Sequence, residues 1–158
     1  MMNELILLIN LALDDLYQKD QYLLDVKANE RNIVFHFGRY FINRLENTSS
    51  FNEYNVDCEY NRDIFNEKKY KEVIYDKKKH RIIPDILLHQ RGCNSNNILA
   101  IEFKTYFNKN NEKNDKLKLQ ALTDNNSFYK YKMGLFIELG KTRETVIILK
   151  YINGKKIN

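Results

Sequence analysis

At 158 residues, with 43% hydrophobic and 30% charged residues and one proline, the chain has the size and composition of one compact domain with a packed core, and a second independent domain would not fit. Its longest apolar run, residues 5–13, is too short to span a bilayer, has no preceding Lys or Arg and is followed at once by Asp14 and Asp15, so the expectation is a soluble, cytoplasmic chain without membrane attachment. The two cysteines, Cys58 and Cys93, have neither zinc-pair spacing nor the numbers of a disulfide framework, and a net charge of +5 suits a polyanionic partner without requiring one.

In chain order, residues 3–19 read as an amphipathic helix covering one side of the domain. Over 27–45, Ile33, Val34, Phe37, Phe41 and Leu45 recur at helical spacing and predict a second helix with one buried stripe, ended by 47–50. Residues 51–60 alternate as a strand, with Val56, Cys58 and Tyr60 on one face and the acidic Asp57 and Glu59 on the other, expected to be solvated. The stretch 62–80 reads as an irregular excursion with room for a short helix. Its cations Lys68, Lys69, Lys71, Lys77, Lys78 and Lys79, with Arg81 beyond, fit a solvated loop and a phosphate-binding surface equally well.

Two β-rich runs follow, 81–90 and 97–107, separated by the turn-forming residues 92–96, and together they predict a hairpin. Helical periodicity resumes after 108–111 and runs to about Thr123, with Leu117, Ala121 and Leu122 inward and Lys113, Lys116 and Gln120 along another face. Strands are expected at 131–139 and 144–152, flanking 140–143. After the accessory first helix the order is helix, three strands, helix, two strands: an α/β layer protein on a mixed sheet. His36, His80 and His89 share no metal-binding spacing and receive no role.

The hairpin carries the chemistry. A turn centred between Cys93 and Asn94 sets Ile86 opposite Ile101 and Leu88 opposite Leu99, an aliphatic face, and sets Asp85 opposite Glu102 on the other, with Lys104 two residues further on. Opposed carboxylates repel unless a positive charge lies between them, and a divalent cation or Lys104 would supply it. Oxygen ligands suit Mg²⁺, with Mn²⁺ able to substitute, and a lysine beside such a site can orient water or offset charge developing on phosphorus. An ordinary solvated Glu-x-Lys pair is the alternative for Glu102 and Lys104 taken by themselves.

Ile83-Pro84-Asp85 followed, after a hairpin, by Ala100-Ile101-Glu102-Phe103-Lys104 resembles the PD-(D/E)xK nuclease superfamily, and the element order resembles its restriction endonuclease-like αβββαβ core. The stretch from Val56 to Arg62 is further similar to a signature of small bacterial and mobile-element members. The likeness covers 27–139 as the core of a single 1–158 domain, leaving 1–24 as an accessory helix and 140–158 as a C-terminal strand and tail. The resemblance implies a metal held by Asp85, Glu102 and the backbone carbonyl of Phe103, with Lys104 positioning the nucleophilic water. It also implies a carboxylate from the first core helix, for which Glu30 is the candidate. Glu30 equally fits an acidic residue in the first turn that complements the helix dipole beside an Asn29 cap.

The expectation is a Mg²⁺-dependent endonuclease acting on nucleic acid, DNA ahead of RNA, in repair, defence or mobile-element processes. Lys77, Lys78, Lys79, Arg81, Lys113, Lys116 and Gln120 are its candidate phosphate contacts. No further recognition module is visible, so a homodimer or a protein partner would have to supply elaborate specificity. A non-catalytic nucleic-acid-binding or protein-interaction module on the same fold and a structure-selective RNase are the competing readings.

Overall fold

A computed structural model describes residues 1–60, 62–63, 66–70, 72–75 and 77–157, and for 62–63, 66–70, 72–73, 75 and 79 it describes the backbone alone. Helices α1 (Met2–Asp25) and α2 (Glu30–Glu46) lead into strand β1 (Asn55–Cys58). Two short hairpins follow, β2 (Arg62–Asp63) with β3 (Asn66–Tyr70) and β4 (Glu72–Tyr75) with β5 (Lys78–Arg81). The chain then forms β6 (Ile86–His89), β7 (Asn97–Thr105), helix α3 (Glu112–Thr123), β8 (Met133–Leu139), β9 (Ile147–Ile152) and β10 (Lys155–Ile157). The result is an α/β architecture on one mixed six-stranded sheet of order β1-β6-β7-β8-β9-β10, parallel only between β7 and β8. Among the described residues no helix is long and apolar enough to cross a membrane.

The sheet separates two cores. Ile86, Leu88, Leu99, Ile101 and Phe103 point to the face covered by α1 and α2, where they meet Leu5, Ile9, Leu13, Phe37 and Phe41. Leu87, Ala100 and Phe136 point to the other face, under Leu119 and Leu122 of α3. Strand alternation therefore assigns Glu102 and Lys104 to the α3 side. Gly134 of β8 permits the close crossing, since a Cβ there would stand 3.1 Å from Thr123 Cγ2 and 3.3 Å from Leu119 Cδ2.

The pairing of β6 with β7 has the register expected from the aliphatic pattern, Ile86 with Ile101 and Leu88 with Leu99. The stripe of α2 is buried as predicted, and Asn29 caps the helix through its side-chain oxygen, which accepts from Arg31 N at 2.9 Å.

Several boundaries differ from expectation. Helix α1 runs past 19 to Asp25, bending at Asp20, where the φ/ψ pair is −128/23 and the carboxylate accepts from Tyr40 Oη at 2.6 Å. Strand β1 ends at Cys58 because Glu59 takes a left-handed φ of 49°. Tyr60 therefore leaves the face of Val56 and packs edge-on against His89, at 4.8 Å between ring centroids. The expected strand 81–90 is interrupted over 82–85, where Pro84 has no amide hydrogen for a ladder. The excursion 62–80 contains two strand pairs rather than irregular chain, and a short 3₁₀ turn, Arg143–Thr145, replaces the start of the last predicted strand. The expected tail folds back as β10 through Asn153 and Gly154, both at positive φ (51° and 73°), as a two-residue hairpin turn requires.

Candidate active site

Where β7 passes beneath the first turns of α3, four carboxylates and two lysines converge. Glu102 (2% exposed) and Lys104 (7%) come from β7, Asp115 (5%) and Lys118 from α3, Asp85 from the segment entering β6, and Glu30 from the first turn of α2. The Lys104 ammonium lies 2.8 Å from Asp115 Oδ2 and 3.4 Å from Glu30 Oε1, and it donates to the carbonyl of its neighbour Phe103 at 3.0 Å. Lys118 Nζ lies 2.9 Å from Glu102 Oε1 and 2.7 Å from Asp115 Oδ1. Asp115 thus bridges the two lysines. Asp85, one residue before the ladder starts, accepts from the Phe103 amide at 2.7 Å through Oδ2, which ties it across the hairpin to the strand carrying Glu102.

Burial is the main influence on Asp85 and Glu102. It pushes Asp85 up to about 6, against the Phe103 amide and the Lys104 charge that favour the carboxylate. Glu102 is raised well above the usual carboxylate range by burial and then by the neighbouring Asp85, in spite of Lys118. Burial works the other way on Lys104, but Asp115, Glu30 and Asp85 outweigh it and hold the ammonium above its ordinary value. Lys118 is raised further, by Glu102 and Asp115. Both lysines are therefore charged at neutral pH.

The six groups sum formally to four negative and two positive charges, a deficit that one divalent cation would cancel. The available donors are hard oxygens, as Mg²⁺ prefers. Glu30 Oε2, Glu102 Oε1 and Asp115 Oδ2 are buried without a hydrogen-bond partner among the described residues, and while the latter two have a lysine ion pair, Glu30 Oε2 has none and is left with an unmet need. The Phe103 carbonyl already accepts from Lys104, but a carbonyl has a second lone pair. On these grounds the residues fit a divalent cation. Side chains alone would not complete it: no group of three His, Cys, Asp or Glu stands ready to hold a metal among the described residues, so the backbone carbonyl and water would fill the remaining positions.

The structure brings Asp85, Glu102, Lys104 and Glu30 together as the sequence suggested, and adds Asp115 and Lys118. The missed signal is a stripe on α3: positions 115, 118, 119 and 122 share a helix face, with Leu119 and Leu122 buried on it, whereas Leu117 and Ala121, expected inward, are only partly buried. Lys113, Lys116 and Gln120 lie away from the cluster, lining a shallow groove with Tyr151 and Lys156. Lys116 pairs with Glu112 in a close contact and lies over the Phe136 ring, 4.7 Å from its centroid. Lys77, Lys78 and Arg81 are exposed on the β4–β5 hairpin, while the side chains of Lys68, Lys69 and Lys79 and the whole of Lys71 lie outside the described residues.

Asp57 of β1 departs from the expectation of a solvated side chain, whereas Glu59, just beyond the strand, is exposed as expected. Asp57 Oδ2 lies 2.8 Å from His89 Nε2 and accepts from Arg91 Nε at 2.9 Å, with Arg91 closing a second contact to Oδ1. His89, left without a role above, is a buried partner of this carboxylate. Glu59 pairs with Arg31 Nε at 2.7 Å across a cleft of about 450 Å³ that also reaches Glu30 and Asp85.

No protein-family model, curated protein or solved structure matches the chain.

Proposed function

We propose that the chain is a metal-dependent nuclease with a PD-(D/E)xK-type centre, hydrolysing phosphodiester bonds in DNA. The observation that carries the proposal is the meeting of Asp85, Glu102 and Lys104 in one buried cluster with an excess of two negative charges. The order α2, β1, β6, β7, α3, β8 supports it, because it is the element order of the restriction endonuclease-like αβββαβ core.

Asp85, Glu102 and the carbonyl of Phe103 would hold Mg²⁺ or Mn²⁺. Such a cation supplies Lewis-acid polarisation of a phosphoryl oxygen and a more acidic water. Lys104, kept cationic by Asp115 and Glu30, acts as a charge and hydrogen-bond donor rather than as a base: it can orient the attacking water and offset negative charge on the phosphorus oxygens. The unpartnered Glu30 Oε2 beside it is the group free to accept a proton or to join the coordination. Asp115 and Lys118 position the pair: Asp115 fixes the Lys104 ammonium, and Lys118 holds one oxygen of Glu102.

Cleavage of supercoiled plasmid and single-stranded DNA, with Mg²⁺, Mn²⁺ and EDTA compared, tests this reading. The wild type should cut with either metal and not in EDTA, and Lys104→Ala and Asp85→Ala should each lose at least ~10²-fold in rate while remaining folded. Retained cutting in both variants would overturn the assigned centre. A folded wild type that binds DNA without metal and never cuts would instead favour a binding module, the reading suggested by the complete engagement of Lys104 in internal contacts. Labelled RNA of the same sequence, run alongside, separates a ribonuclease from a deoxyribonuclease.

A further inference from the structure

We infer that the cleft beside Asp85 and Glu30 receives an unpaired nucleobase next to the phosphate to be cut, with Phe35 as its stacking platform, so that the preferred substrate is single-stranded or locally unpaired DNA. The assignment of the scissile phosphate rests on the proposed function; the stacking itself does not.

The cleft, about 450 Å³, is lined by Glu30, Arg31, Val34 and Phe35 of α2 and by residues from later in the chain that include Ile83 and Asp85. Glu30 and Asp85 belong to the acidic cluster, and Val34, Phe35 and Ile83 make the lining apolar beside them. Phe35 is 59% exposed and Ile83 48%, whereas Phe37 and Phe41 on the same helix are fully buried. Isolated exposed apolar side chains need no explanation, but two that converge on a cleft ending in carboxylates do. The Phe35 ring meets His36 in a T-shaped contact at 5.4 Å between centroids, which props it, and more than half of its surface stays open to another ring.

A nucleobase has the matching chemistry, since every base offers a π-face and stacking tolerates any sequence. In a duplex those faces are covered by neighbouring base pairs, so only an unpaired or extruded base reaches a pocket of this kind. Arg31 lines the same cleft and is exposed, so its guanidinium is available to a phosphate of the bound strand. Its present partner, Glu59, forms an exposed ion pair that contributes little, so the guanidinium can exchange it for a phosphate.

The chain has no tryptophan, so Phe35→Trp introduces a sole indole at the proposed contact. Titrating this variant in EDTA with a single-stranded oligodeoxynucleotide should quench the indole saturably. The midpoint should match that given by the anisotropy of the labelled oligonucleotide, and a fully paired hairpin of the same sequence should quench far less. Phe35→Ala should weaken single-strand binding roughly 5- to 150-fold, equivalent to ~1–3 kcal/mol at about 1.36 kcal/mol per decade, and leave duplex binding unchanged. Binding without quenching, equal quenching by the duplex, or an unaltered affinity in Phe35→Ala would overturn the inference, as would no binding at all. Metal-dependent plasmid cutting by the wild type reports separately on the nuclease: cutting without stacking removes the cleft assignment alone, and stacking without cutting removes the nuclease alone. An oligoribonucleotide arm shows whether the base is read from DNA or RNA.

Discussion

Two clusters of ionisable groups lie on the α3 side of the sheet, and they differ in their balance of charge. On β1 a single carboxylate, Asp57, faces Arg91 and His89, and opposite Leu87 it shares the face covered by α3. At β7, Glu30, Asp85, Glu102 and Asp115 share, among the described residues, only Lys104 and Lys118. Burial raises the carboxyl in both places, but hydrogen bonds from Arg91 and His89 overcome it and hold Asp57 well below the usual range, while Asp85 and Glu102 end above theirs. Enclosure is common to both; the ratio of acid to base separates them. The first is electrostatically complete, as a structural lock on the β1–β6 edge should be. The second lacks positive charge, which is the condition of a site that takes a cation.

Removing a cation from the deficient cluster should have the largest effect. Lys118→Ala takes from Glu102 its ion-pair partner and leaves Asp115 with Lys104 alone, and should lower stability by ~3 kcal/mol at pH 7 in EDTA, measured by urea unfolding. The loss should shrink at pH 4, where the carboxyls take up protons; an equal loss at both pH values would mean that Lys118 contributes packing rather than charge.

Removing an acid there should act in the opposite direction. Because the folded-state value of Asp85 is about 6, above its ordinary 3.8, the native protein retains a proton that the unfolded chain has released between those values, and stability falls as pH rises through that window. Asp85→Asn escapes this penalty. Relative to wild type it should gain on the order of 2 kcal/mol between pH 4 and pH 7 in EDTA. Mg²⁺ at about 100 times its Kd should return ~2.7 kcal/mol to the wild type and nothing to the variant. A constant difference across that pH range, or an equal response to Mg²⁺, would break the contrast between the clusters.

The balanced cluster should show the opposite pH dependence and a smaller amplitude. Asp57 is depressed, so its contribution is fully present above the unfolded value near 4 and disappears as pH falls through the lower folded value. Asp57→Asn should lower stability by ~1–2 kcal/mol above about pH 5, with the deficit fading in acid and no change in the response to Mg²⁺. Thermal melts of wild type and variant from pH 3 to pH 7 measure this directly.

How much could be read in advance depended on whether a feature was local. The register of β6 against β7 was legible because a one-residue slip would turn Ile86, Leu88, Leu99 and Ile101 out of the core, and with it came the placing of Asp85, Glu102 and Lys104. The α2 stripe was legible by its period and its Asn29 cap. The charged stretch 62–80 concealed its strand pairs because lysine and aspartate mask an alternation that only backbone pairing reveals. Asp115 and Lys118 were hidden for a different reason: on an isolated helix they are an ordinary solvated pair at i and i+3, and the stripe they share with Leu119 and Leu122 competes with the apolar Leu117 and Ala121 for the inward face.

The sequence by itself determined the α/β order, the apolar stripe of α2, the aliphatic face of the hairpin and its acid-acid-lysine pattern, because alternation and helical periodicity depend on near neighbours along the chain. Only the tertiary structure decided that α3 lowers Asp115 and Lys118 onto β7, that Asp57 is locked while Asp85 and Glu102 are left short of charge, and that Phe35 stands at the mouth of their cleft. Burial and charge balance are sums over groups distant in the chain, and they take values only when the layers pack.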